Sequence, residues 1–185
     1  MAVYRLETPI SEGEARRLRA GDIVYLTGIV VTARDKAHRR ILEYVESGRR
    51  LPVDLRGGVI YHCGPHAVKT PGGWVVLAAG PTTSMRMESV MAEVLQATGA
   101  RLVIGKGGMG SRTLKALMKV GAAYAVFTGG AGSLAALSIK RVVDVHWLDL
   151  GVPEALWVLE VEDFGPLIVT MDSRGSSLHK GTGTY

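Results

Sequence analysis

Hydrophobic and polar positions along this chain recur on two periods. Residues 21–33, GDIVYLTGIVVTA, are apolar and β-branched around a central glycine. That pattern predicts two short strands, or one bent strand at a sheet corner. In the next stretch, ARDKAHRRILEYVESG, Ala37, Ile41, Leu42 and Val45 fall at helical spacing. Asp35 charges or caps the first turn of that helix, and Gly48 stops it. GGVIYHCG and GGWVVLAAG are glycine-bounded runs that read as strands, and PHAVKTP between them reads as a loop.

From residue 74 the pattern becomes a regular alternation of strand and helix. WVVLAAG predicts a strand, and TSMRMESVMAEVLQATG a helix with Met87, Val90, Met91, Val94 and Leu95 in one apolar stripe and Gly99 at its end. RLVIG is the next strand. SRTLKALMKVG is the next helix, with Leu114, Leu117 and Met118 inward and Gly121 as its stop. AAYAVFTGG and AGSLAALSI predict a third strand and a short third helix. Strands separated by helices of this length imply parallel pairing with right-handed crossovers. VVDVHWLDL, ALWVLEVEDF and GPLIVTMD are later strand-like runs, and the polar tail, about 174–185, is expected to fray. The expected fold is α/β: a β-rich layer packed on a small parallel βαβαβ unit and closed by C-terminal strands. It forms a single domain over residues 1–185.

Composition narrows the classes. With 185 residues and 47% hydrophobic positions the chain can bury a real core, which excludes disorder. The single cysteine, Cys63, forms no internal disulfide and cannot by itself assemble a zinc or iron–sulfur site. A reducing cytoplasm fits, the charged N-terminus lacks the apolar core of a signal peptide, and no apolar run reaches membrane-spanning length. The net charge of +5 reads as an ordinary basic surface or as preference for an anionic substrate. Nucleic acid is disfavoured, because aromatics are only 6% and are not interleaved with the basic residues.

Three glycine- and hydroxyl-rich turns follow the strands: GPTTS, GKGGMGS and TGGAGS. In parallel α/β units ligands gather beyond the strands' carboxyl ends. Each turn leads into a helix N-terminus, whose free N–H groups favour an anion. Arg86 and Lys106 add cations to two of them. GKGGMG at 105–110 matches G-x-G-x-x-G, yet the next strand carries no acidic residue for a ribose, and the Walker A order also fails. Upstream, Arg34 directly follows a strand, and its neighbour Asp35 is expected to hold it for bidentate contact with a carboxylate. Arg34, Arg86 and Lys106 together suit a substrate with two carboxylates.

TARDKAHRR, GPTTSMRM after its glycine-flanked strand, IGKGGM, and PEALWVLEVEDFGPLIVTMDSRG occur in this order. In that order they resemble the β subunit, or C-terminal domain, of class I iron–sulfur fumarate hydratases and the closely similar β subunit of L(+)-tartrate dehydratase. The resemblance covers roughly residues 15–178 and implies a swivelling β/β/α domain. It implies reversible hydration of fumarate to (S)-malate, catalysed only with an α subunit. That subunit carries a 4Fe–4S cluster bound by its own cysteines, with an α2β2 assembly. It implies that Arg34, Arg86 and Lys106 contact the substrate and that Thr82 is the base at the carbon that loses a proton. Thr83 and nearby N–H groups then cap the helix and orient Thr82, with Gly107 and Gly108 supporting Lys106. A threonine hydroxyl is a poor base unaided and needs a carboxylate from the α subunit.

Tartrate or another hydroxy-diacid remains open as substrate, since the same cations would serve. A stand-alone module that binds an anion or nucleotide is the reading from another class. His38 packs on the Arg34 helix, and YHCGPH, with His62, Cys63 and His66, lacks a second cysteine–histidine pair for a metal site.

Overall fold

The computed structural model describes residues 1–179. Its elements are β1 (Val3–Glu7), α1 (Glu12–Ala15), β2 (Ile23–Thr32), α2 (Asp35–Glu46), β3 (Val59–Tyr61), β4 (His66–Thr70) and β5 (Gly73–Ala78). They continue with α3 (Glu88–Thr98), β6 (Leu102–Gly105), α4 (Ser111–Val120), β7 (Ala123–Val126), α5 (Gly132–Leu137), β8 (Ile139–His146) and β9 (Leu156–Met171). The α/β class expected from the sequence is the one found.

Strands β2, β3, β6 and β7 run parallel in that order. Helix α2 connects β2 to β3, and α4 connects β6 to β7. β9 pairs antiparallel with β7 and also with β2, so the pairings close on themselves as β2–β3–β6–β7–β9. The closure depends on two long strands. β2 serves β1 with its first half and β3 with its last residues, and β9 serves β8 first and β7 last.

The central strands are buried on both faces, so they read as continuous apolar runs. Their alternation divides the core in two. Val59, Tyr61, Leu102, Ile104, Ala123 and Ala125 join the cluster that includes Phe127, Trp157 and Phe164. Ile60, Val103 and Tyr124 point the other way, toward Ile41, Met91, Leu95 and Leu117 of the helices. Helices α2, α3 and α4 pack side by side on that face. The β4–β5 hairpin and α5 lie with the first cluster, where Trp74 meets Trp157 edge-on at 5.1 Å.

Several expectations change. The bent apolar run is a single strand, β2, with register shifts leading up to Gly28. Gly28 has φ +111, and a Cβ there would stand 2.3 Å from Thr8 Oγ1. PHAVKTP is a strand, not a loop: it pairs with β5 as a hairpin. The run from residue 74 therefore leaves the parallel unit, whose place is taken by β3. Alternation alone cannot tell which apolar strand joins which sheet. The last two strand-like runs are one 16-residue strand, bent at Asp163 with φ 49. Met118 and Val45 sit at stripe edges and are exposed. The N-terminal strand β1 and the capping box of Ser11 and Glu14 were not anticipated. In the tail, residues 174–179 do not fray: Leu178 N–H donates to Thr170 O, and Asp172 takes the N–H groups of Arg174 and Ser176. Residues 180–185 lie outside the described residues.

Candidate active site

Because β2, β3, β6 and β7 are parallel, their carboxyl ends open on one rim. β2 delivers Arg34, β3 delivers His62, Cys63 and Gly64, β6 delivers Lys106 and Gly107, and β7 delivers Gly129 and Gly130. The GPTTS segment arrives from the hairpin and threads between the tips of β3 and β6. Pro81 pairs with Cys63 and Thr83 with Lys106. Thr82 N–H donates to His62 O at 2.7 Å, and Ser84 N–H donates to Lys106 O at 3.0 Å. Backbone bonds thus bring the Thr82, Arg86 and Lys106 loops to one place.

Each cation has its own surroundings. Arg34 Nε lies 3.3 Å from Glu154 Oε1, an ion pair without the alignment of a hydrogen bond. Glu154 also accepts the Lys36 N–H at 3.0 Å, so it holds the first turn of α2. Gly64 is compulsory beside this arginine: a Cβ would stand 2.5 Å from Arg34 Nη1 and 2.6 Å from Pro153 O. Arg86 pairs with Asp35, Nη2 to Oδ2 at 2.8 Å, with Nε donating to Oδ1 at 3.3 Å. Asp35 therefore serves Arg86 and not its neighbour Arg34, as the sequence suggested. α2 packs on the turn that carries Arg86, which brings Asp35 within reach of it. Lys106 is exposed, lays its stem over Gly129, and has no carboxylate partner among the described residues.

The hydroxyls divide differently from the expectation. Thr83 caps nothing with its side chain. Thr82 is partly exposed, and its hydroxyl makes no hydrogen bond among the described residues. Ser84 is buried: its Oγ lies 2.8 Å from His62 Nδ1 and accepts the Lys106 N–H at 3.3 Å. Gly105 makes room for it, since a Cβ there would stand 1.8 Å from Ser84 Oγ. Gly107 sits at φ +73 and its carbonyl accepts from Tyr124 OH at 2.9 Å. Gly108 packs against the His179 ring.

Two of the helix starts that the turns pointed to differ from simple open N-termini. At α4 two N–H groups are already taken: Glu88 accepts from Gly110 N at 2.8 Å and from Thr113 N at 3.2 Å, and the Thr113 hydroxyl donates to it too. GPTTS leads into a 3-10 turn, Ser84–Met87, before α3 begins.

Beneath the rim lie His38 and His62, both fully buried. Burial lowers His38 to about 4, against the opposing pull of the Arg34 carbonyl and Asp35. Burial, then the neighbouring His38, lowers His62 well below the ordinary value. Burial pushes the Cys63 thiol up to about 12, although Arg34 works the other way. His66 lies at the surface, in a shallow cleft with Arg34, Gly64 and Pro153.

The family model described as Fumarase C-terminus matches residues 2–182. The chain belongs to the fumarase C-terminus family. It is 46% identical over 173 residues to the L(+)-tartrate dehydratase subunit beta of Escherichia coli (strain K12), covering 94% of this chain and 85% of that one. It is 46% identical over 172 residues to the putative L(+)-tartrate dehydratase subunit beta of Methanocaldococcus jannaschii, covering 92% and 88%. It is 45% identical over 179 residues to a putative fumarate hydratase class I of Geobacillus stearothermophilus, covering 96% of this chain and 34% of that one. The chain thus has the extent of a separate subunit in the first two and of one segment in the third.

Sequence reasoning missed Glu154, Gly64 and Ser84 as site-builders. Glu154 stands inside the quoted PEALW stretch, but only the fold shows that its turn abuts the start of α2. Ser84 is indistinguishable in sequence from its exposed threonine neighbours. No helix among the described residues is long and apolar enough to cross a membrane.

Proposed function

We propose that this chain is the β subunit of a class I fumarate hydratase, adding water reversibly to fumarate to give (S)-malate. One observation carries the reading. Backbone bonds join Arg86 and Lys106 to the turn that presents Thr82, whose hydroxyl has no bond among the described residues, and Arg34, at the end of the neighbouring strand β2, pairs with Glu154. Two of the cations stand in ion pairs that hold their planar forks, and the third has no ion pair among the described residues. Guanidinium groups recognise carboxylates bidentately, and Lys106 supplies a point charge.

In the dehydration direction the arginines and Lys106 bind and orient the two carboxylates of malate, and Thr82 Oγ1 takes the proton from the carbon that loses it. The electron pair of that C–H bond forms the double bond, and the hydroxyl of the neighbouring carbon leaves as hydroxide; hydration runs these steps in reverse. The Thr82 hydroxyl passes its own proton to a carboxylate of the α subunit as it takes the one from carbon, because a neutral threonine hydroxyl cannot hold a second proton. Gly107 and Gly108 let the Lys106 turn approach the substrate closely. The 4Fe–4S cluster expected for the family does not fit residues of this chain. Cys63 is buried with its thiol strongly disfavoured as thiolate, and no three His, Cys, Asp or Glu among the described residues stand together as metal ligands. When held by the α subunit the cluster supplies a Lewis acid for the substrate. The proposed assembly is an α2β2 heteromer in a reducing cytoplasm.

A second reading, L(+)-tartrate dehydratase, is favoured by the relatives that have the extent of a separate subunit. Co-expression with the α partner, followed by kcat/KM on malate and on tartrate, separates the two. A heteromer with intact cluster that turns over neither would overturn both. Arg86→Ala and Lys106→Ala should each lower kcat/KM at least about 100-fold with the heteromer still assembled. Wild-type rates would remove these residues from the site. A stand-alone binding module would instead bind a dicarboxylate as an isolated chain, which titration of the lone subunit tests.

A further inference from the structure

We propose that His62 is the positioning residue for Thr82, holding the chain on both sides of it through Ser84; the inference rests on the hydro-lyase reading. The His62 carbonyl accepts the Thr82 N–H at 2.7 Å. The same residue's Nδ1 lies 2.8 Å from Ser84 Oγ, two residues further on. The Thr82 hydroxyl makes no bond of its own among the described residues, so its direction is set by the backbone that carries it. One residue clamps that backbone at both ends.

The clamp also sets the distance between Thr82 and its neighbours. Ser84 N–H donates to Lys106 O, and Lys106 N–H donates back to Ser84 Oγ. A shift of Ser84 therefore moves Lys106 relative to Thr82. On the other side, His38 stands edge-on to His62, with ring centroids 5.1 Å apart and an interplanar angle of 68°. His38 Nδ1 lies 2.8 Å from the Arg34 carbonyl, which can only accept, so Nδ1 carries the proton. Arg34, Thr82 and Lys106 are thus tied to a single buried chain, His38–His62–Ser84.

Both imidazoles are fully buried and each has an Nε2 without a hydrogen-bond partner among the described residues. An apolar pair would fill the same space without that desolvation cost. It would leave Ser84 Oγ and the Arg34 carbonyl without these bonds. The polar pair contributes position where it forfeits stability.

Three variants in the α–β heteromer test this, with rates normalised to cluster content and to the assembled species. His62→Asn keeps a hydrogen-bonding atom near the place of Nδ1 but loses the ring. His62→Phe keeps the ring and loses the nitrogen. Ser84→Ala removes the other partner by deleting one oxygen. Expected are losses of about 10- to 100-fold in kcat for His62→Phe and Ser84→Ala, with KM within about 3-fold of wild type. His62→Asn should keep kcat within about 3-fold, and adding His62→Phe to Ser84→Ala should cost little more than either alone, because one bond is lost only once.

Wild-type kcat in Ser84→Ala overturns the inference. So does a Phe variant as active as the Asn variant or more so, since that order is what packing predicts. A KM that rises as much as kcat falls also overturns it, because it places the effect in the carboxylate anchors. If His62→Phe fails to assemble, the contrast between His62→Asn and Ser84→Ala decides, and equal losses count against the clamp. An inactive wild-type heteromer fails the functional reading itself; an active wild type with an unaffected Ser84→Ala variant fails this inference alone.

Discussion

The guanidinium of Arg86 lies side-on to the carboxylate of Asp35, 51 residues earlier in the chain, with Nη2 2.8 Å from Oδ2. The pair joins the first turn of α2 to the turn after GPTTS. It occupies the Nε side of the arginine and leaves the Nη1 edge for another anion.

Asp35→Asn should therefore act on substrate binding more than on folding. The pair is half exposed on the arginine side, so its loss should change stability by less than about 1 kcal/mol. With its fork no longer held, Arg86 should anchor a carboxylate less well, and KM should rise several-fold. Equilibrium unfolding and steady-state kinetics on one preparation check both. An unchanged KM would mean that Asp35 only decorates the surface.

Gly105→Ala should be far more damaging than its small size suggests. The new methyl would overlap Ser84 Oγ and crowd His62 Nδ1 and Tyr124 OH, which stand 3.2 and 3.1 Å from the Cβ position. All three belong to buried residues with little freedom to move. A cost of about 1–3 kcal/mol for overpacking is expected, together with loss of activity. Thermal unfolding and turnover measure it, and a neutral substitution would show that Ser84 has another place to go.

Glu88→Ala tests the cap on α4. The carboxylate receives two backbone N–H groups and the Thr113 hydroxyl, so its removal strands donors at a helix start. A loss of about 1–2 kcal/mol is expected, as for other helix caps. Denaturant titration reads this directly. Because the cap lies behind the Lys106 turn, kcat below the unfolding transition should fall by no more than about 3-fold.

Stability should depend on pH through the buried imidazoles. His38 is lowered to about 4 and His62 is lowered well below its ordinary value, both chiefly by burial. In the unfolded chain both titrate near about 6.5. Between those values the unfolded chain binds protons that the fold refuses. Stability is then full above about pH 6.5 and declines as pH falls toward 4. Carboxylates also contribute in acid, so the useful quantity is the gap between wild type and His38→Asn. That gap should shift against wild type as pH drops, measured by urea midpoints. A constant gap would show that His38 is protonated as readily folded as unfolded.

How much of this was legible beforehand varies with the kind of residue. Lys106 and Arg86 stood out because a cation inside or just after a glycine-hydroxyl turn has no packing role. Arg34 stood out because it ends an apolar run. Glu154, the partner of Arg34, lies in a turn between β8 and β9 and is an ordinary acid by sequence. Glu88 was missed for a related reason: only the fold shows that this residue of α3 reaches the start of α4.

The sequence by itself determined the local periods: apolar runs for strands buried on both faces, a 3.6-residue stripe for α3 ended by left-handed Gly99, and glycines where chain meets chain. These follow from rules a few residues long, so they survive without knowledge of the rest of the molecule. The tertiary structure alone decided which strands share an edge, sending β5 to a hairpin with β4 and bringing β3 into the parallel order. It alone chose the partners of the charges and hydroxyls, giving Asp35 to Arg86, Glu154 to Arg34 and Ser84 to His62. Those choices depend on distances between segments tens of residues apart. Such distances are set by closure of the sheet through β2 and β9, not by spacing along the chain.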